Sequence, residues 1–72
     1  MLREDTIKIE GGVVAVLPRG LCRVELSNGH RLLAHLSVRL RSGQTELAPG
    51  DRVTVEMSPF DMSRGRIILK EQ

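Results

Sequence analysis

Apolar residues in this chain recur at every second position, in short runs, and each run is closed off by Gly, Pro, Asn or Ser. A period of two puts alternate side chains on one face of a strand, whereas a helix repeats about every 3.6 residues. The segment DRVTVEM shows the pattern most cleanly: Val53, Val55 and Met57 point one way, and Arg52, Thr54 and Glu56 the other. Strands this short, with turn formers between them, predict an all-β barrel or sandwich. The 72 residues form one domain, 1–72, with residues 1–5 and 71–72 expected to fray. A chain of this size buries only about 60% of its unfolded surface.

The runs can be placed in order. In IKIEGGVVAVL, Ile7 and Ile9 alternate with Lys8 and Glu10 before Gly11-Gly12 interrupts. Glycine inside a strand marks a bend or bulge, so one long bent strand is expected, ended by Pro18-Arg19-Gly20. LCRVELS and HRLLAHL flank Asn28-Gly29. A two-residue turn there would set Leu26 opposite Arg31 and bury a cation. A three-residue loop, Ser27-Asn28-Gly29, instead pairs Val24 with Leu32 and Cys22 with Ala34 inside, and Glu25 with Arg31 and Arg23 with Leu33 outside. Gly29 then takes the left-handed bulge position. Ser37 can cap one helical turn that stops at Gly43, with Leu40 inward and Arg39 and Arg41 outward. After a polar connection and strand 51–57 comes SPFDMSRGRIILK. Its first part reads as a hairpin loop through Ser63-Arg64-Gly65. Its second part reads as a strand with Ile67 and Leu69 inside and Arg66, Ile68 and Lys70 outside. Three strands, a short helical turn and two strands is the layout of a five-stranded Greek-key OB-fold barrel, the helical turn lying between strands 3 and 4. An SH3-like barrel has a similar strand count but usually only a 3-10 turn before its last strand.

Chemistry of the catalytic kind has little to work with. His30 and His35 are five apart, so they face opposite ways on one strand and cannot share a metal. Acids are scattered singly, no glycine-rich phosphate loop occurs, and the lone Cys22 falls on the inward phase, as core rather than as a reactive thiol. The expectation is no enzyme, no metal, no cofactor and no small-molecule substrate. A single cysteine closes no internal disulfide, which points to a reducing, cytoplasmic compartment. No apolar run approaches membrane-spanning length. The acidic N-terminus does not resemble a secretory or transit segment, so a chain starting at or near Met1 is expected.

The cations carry more information. Net charge is only +2, yet nine of eleven cations are arginine, whose planar fork suits phosphate and stacks on bases. Arg31 has Glu25 as a cross-strand partner and Arg52 has Glu56 nearby, so both read as solvated surface pairs. Arg39, Arg41, Arg64 and Arg66 have no acid at ladder spacing and read as ligand-facing. Strands two and three form the usual nucleic-acid face of an OB-fold. Phe60 is the single aromatic and lies in a turn. Coating of single strands by base stacking is therefore disfavoured, and contacts to a folded RNA through arginine, histidine and backbone are favoured. Two other readings stand beside this one: a cold-shock-like RNA chaperone, and a pure protein-interaction barrel.

RVELSNGHRLLAHLS and GDRVTVEMSPFDMSRGRI closely resemble the two signature segments of bacterial translation initiation factor one, a family of S1-like OB-folds, and the likeness runs from EDTIKIEGGVV to GRIILK. It implies a monomer that binds the small ribosomal subunit at the aminoacyl-tRNA decoding site, against 16S ribosomal RNA and a neighbouring ribosomal protein. It further implies that the protein keeps elongator tRNA out and assists initiation factors two and three. Carried over by resemblance, the RNA contacts are Arg23, His30, His35, Arg39, Arg41, Arg64, Arg66 and Lys70. The chain departs from the family after Arg41, where basic and aromatic residues give way to Ser42, Gly43, Gln44, Thr45 and Glu46. A weaker contact to RNA is expected from loop 42–50, as in a divergent second copy.

Overall fold

The computed structural model describes residues 6–71. The expected fraying at residues 1–5 and 72 lies outside the described residues. Glu71 lies within them, as the last residue of the last strand, opposite Arg52.

The elements are β1 (Ile7–Val16), a 3-10 turn (Pro18–Gly20), β2 (Leu21–Leu26), β3 (Arg31–Leu36), α1 (Val38–Ser42), β4 (Arg52–Ser58) and β5 (Asp61–Glu71). The strands close into a barrel in the order β1-β2-β3-β5-β4. Pairing is antiparallel except between β3 and β5, which run parallel. This is the OB-fold, with its short helix between β3 and β4.

Alternation dictates the core. Val24, Ala34, Val53, Val55 and Ile67 are fully buried, with Cys22, Leu26, Leu32 and Met57 nearly so. Ile7, Ile9, Leu36, Leu40 and Leu47 pack against this cluster. Burial pushes the Cys22 thiol up in pKa, so it stays protonated and packs as a small apolar group.

The loop between β2 and β3 has three residues, and every expected pair is present: Cys22–Ala34, Arg23–Leu33, Val24–Leu32 and Glu25–Arg31. Gly29 has φ 91°, a value that L side chains rarely adopt. β1 is one long strand. Its first half pairs with β4, its second half with β2, and Gly11 and Gly12 pair with both. The bulge lies further on, at Val14. α1 is capped by the Ser37 hydroxyl, which accepts from the Leu40 amide at 3.3 Å. Gly43 ends it, and the left-handed residue is the next one, Gln44, at φ 57°.

The last hairpin departs from the alternation. Its turn is only Pro59-Phe60, because Ser58 already pairs with Asp61. Arg64 therefore belongs to β5 and not to a loop. Farther along, Val55 faces Ile67 while Thr54 faces Leu69, so Ile68 is an extra residue in a bulge. The bulge reverses the phase: Ile68 is half-buried and Leu69, expected inside, is 53% exposed. Lys70, expected to share the outer face of Arg66, instead pairs with Val53 near the end of the strand.

Candidate nucleic-acid interface

Strand order decides which cations meet. β3 lies between β2 and β5, so the outward residues of three strands form one surface. In one row across it Arg23 stands beside Leu33, and Leu33 beside Arg64. In the next row Leu21 stands beside His35, and His35 beside Arg66. Leu21, Leu33, His35 and Arg64 line a depression of about 180 Å³. Its floor is apolar and its rim carries nitrogen donors.

Arg64 reaches this surface through an irregularity. From Asp61 to Arg66 β5 takes five steps, while β4 opposite takes two, from Ser58 to Glu56. The surplus swings away from β4 and pairs with β3. Small residues permit the approach. Gly65 lies opposite Ala34, and a side chain on it would come within 2.8 Å of Leu32 Cδ1 and 3.1 Å of the Glu56 carbonyl oxygen.

The charges on this surface are unequally matched. Among the described residues, no carboxylate lies within salt-bridge distance of Arg23 or Arg64. Arg66, expected to lack an acidic neighbour, sits opposite Glu56, and its Nη2 group donates to Glu56 Oε1 at 2.5 Å. The expectation failed because the pairing depends on the surplus residues of β5 between Asp61 and Arg66, which alternation does not reveal. The Glu56 carboxyl is held below the usual carboxylate range, first by this hydrogen bond and then by one from the Thr6 hydroxyl. Arg31 pairs with Glu25 at 3.6 Å, as expected. Arg52 does not pair with Glu56. It reaches Glu10 on β1 at 3.6 Å, because β1 runs beside β4 there.

The other candidates lie around or away from this surface. His35 is exposed within it. His30 precedes β3, and its Nε2 donates to the Met62 carbonyl at 2.7 Å, tying the β2–β3 loop to β5. Arg39 and Arg41 are exposed on α1, just beyond the His35 end of β3, and Arg41 Nη2 donates to the Leu36 carbonyl at 3.5 Å. Lys70 is engaged elsewhere. It donates to the Glu46 carbonyl at 2.8 Å and lies 3.7 Å from Asp51, holding the long loop against the barrel. Leu21 and Leu33 were not singled out from the sequence, although the signal was there: leucines on the same outward phase as Arg23, one beside it in β2 and one across from it.

Phe60 is 90% exposed at the tip of the β4–β5 hairpin, off the strand surface. No group of three or more metal-ligating side chains occurs among the described residues. Among the described residues, no helix is long and apolar enough to cross a membrane.

Comparison with known proteins agrees with this geometry. A family model described as translation initiation factor 1A / IF-1 matches residues 2–72. The solution structure of translation initiation factor one from the Wolbachia endosymbiont of Brugia malayi superposes with a TM-score of 0.75 at 39% identity. The match covers 93% of this chain and 79% of that one. YjeQ from Thermotoga maritima superposes with a TM-score of 0.73 at 25% identity, over 92% of this chain and 23% of that one.

Proposed function

Since the chain belongs to the translation initiation factor 1A / IF-1 family of RNA-binding, OB-fold initiation factors, we propose that it acts in the cytoplasm by docking its β2–β3–β5 surface onto ribosomal RNA of the small subunit. The docking place is the aminoacyl-tRNA decoding site. Occupying it keeps elongator tRNA out and assists initiation factors two and three. The protein performs no chemistry on its ligand.

One observation carries this reading. Arg23 and Arg64 stand in one row, two strands apart, with Leu33 between them and no acid within salt-bridge distance among the described residues. Unmatched guanidinium groups on a rigid sheet suit phosphate oxygens held at fixed spacing, which a folded RNA supplies and a flexible strand does not. Arg66 and His35, in the next row, extend the surface toward α1, where Arg39 and Arg41 add further donors. His30 contributes by fixing the loop beside the surface rather than by offering a free ring. The strands present no aromatic platform, which disfavours the chaperone-like binding of unstructured RNA.

The test is sedimentation of labelled protein with separated ribosomal subunits across a salt series. Saturable binding to the small subunit is expected, weakening with salt as phosphate contacts release counterions. Equal or tighter binding to an unstructured oligonucleotide would refute the reading in favour of a general RNA chaperone.

A further inference from the structure

Glu56 intrudes on the cationic surface. Its Oε1 accepts from Arg66, and its Oε2 accepts from the Thr6 hydroxyl at 3.0 Å. The pair is lopsided: the Glu56 side chain is 17% exposed and that of Arg66 53%. The carboxylate is thus recessed and doubly held, while the outer edge of the guanidinium stays in water. The contact engages one Nη2 group of a fork with several N–H donors. Both residues line a groove of about 330 Å³ that also takes in His35, Arg64 and, at its hairpin end, Asp61.

The consequence follows from range. Attraction of a polyanion from a distance depends on net charge. Arg23 and Arg64 present whole charges, whereas Arg66 with Glu56 presents a neutral pair. An arbitrary strand drifting into the groove gains little from Arg66. A hydrogen bond acts only at contact and needs a positioned acceptor. A folded RNA that places an oxygen at the outer edge of Arg66 still gains it.

Resting on the reading that this surface binds structured RNA, we propose that Glu56 is a specificity-determining residue. It keeps Arg66 from serving as a generic phosphate site and reserves it for a correctly placed RNA group.

Glu56→Gln keeps the shape and removes the charge. Its affinity for polyuridine is expected to rise by up to about fivefold, with the salt slope steeper by about 0.7. Its affinity for small subunits should rise less, so the ratio between the two ligands falls. The double variant Glu56→Gln/Arg66→Ala removes no net charge. It should bind polyuridine like the wild type and small subunits more weakly. If Glu56→Gln does not fold, Glu56→Thr, which suits a strand and likewise removes the charge, should lie above the wild type on polyuridine.

An unchanged polyuridine affinity and salt slope overturn the proposal, as does an equal gain on both ligands. Failure of the wild type to bind small subunits overturns the function proposed above instead. Glu56 is then judged on polyuridine alone, where an unchanged slope again overturns its role.

Discussion

The two sides of the barrel are built from the same residue types by the same alternation, yet they differ in how many of their cations stand against an acid of their own. On the β1–β4 side Arg52 meets Glu10 and Lys70 lies against Asp51, while Lys8 stands opposite Glu56, whose carboxylate Arg66 engages. On the β2–β3–β5 side Arg23 and Arg64 have an apolar residue between them. A total of +2 describes neither side. Local register, rather than composition, decides where a barrel this small can attract an anion.

That difference depends on closing β5 against β3, so the largest effect should come from preventing closure. Gly65→Val places atoms where Leu32 Cδ1 and the Glu56 carbonyl already lie. A loss of about 1–3 kcal/mol is expected from the overpacking, a large part of the stability of a domain this size. Urea denaturation measures it. Stability equal to the wild type would mean that the β3–β5 seam yields easily, and the two rows would not be rigidly spaced.

Next in size is a direct contrast between the sides. Arg64→Ala or Arg23→Ala should weaken small-subunit binding about tenfold, or about 1.4 kcal/mol. Arg52→Ala, whose partner is Glu10, should change it by less than about twofold. Sedimentation at fixed salt gives both numbers. Equal losses at Arg52 and Arg64 would erase the distinction between the two sides.

Much of this contrast was legible in the sequence, where the determinants are local. The β2–β3 hairpin followed from one requirement, that no cation be buried, and that requirement set the loop length and with it the outward pair Arg23–Leu33. The helix cap at Ser37 and the inward phase of β4 were equally local. β5 was not. Arg64 and Gly65 read as part of a turn after Ser63 and become strand because β3 supplies their partners, Leu33 and Ala34, about thirty residues earlier in the chain. The bulge at Ile68 is set by β4 and moves Leu69 and Lys70 out of their apparent phase. The Arg66–Glu56 pair was hidden for the same reason, since its register depends on the surplus residues that β5 carries against β4 and turns toward β3. The candidate site was readable as a set of residue types, while its spatial grouping depended on long-range pairing.

A smaller effect is expected from Lys70, which alternation and resemblance alike placed among the RNA-facing cations and which the barrel sends to the long loop. Lys70→Ala loses a hydrogen bond to the Glu46 carbonyl and an ion pair with Asp51. A cost of about 0.5–1 kcal/mol is expected, with faster amide exchange around Glu46 and no greater loss of small-subunit affinity than Arg52→Ala shows. A loss matching that of Arg64→Ala would return Lys70 to the binding surface.

The smallest effect is a pH dependence, and it sharpens the comparison at the β4–β5 seam, one of the two where the sides meet. The hydrogen bond from Arg66, then that from Thr6, lowers the Glu56 pKa, with the charges of Arg66 and Lys8 acting in the same sense and desolvation opposing. A carboxyl whose folded value lies below its unfolded value of about 4.3 favours the folded state fully above that pH. The contribution fades as pH falls through the folded value. Asp61 behaves alike through its hydrogen bonds from Ser63, so an acid limb remains when Glu56 is gone. Urea midpoints for wild type and Glu56→Gln should therefore be separated at neutral pH, with the variant lower, and draw together in the acid range. Midpoints that stay parallel down to about pH 2 would mean that Arg66 does not hold Glu56 in solution. The guanidinium would then be a free phosphate site like Arg64, and the groove would lose its internal check on unstructured RNA.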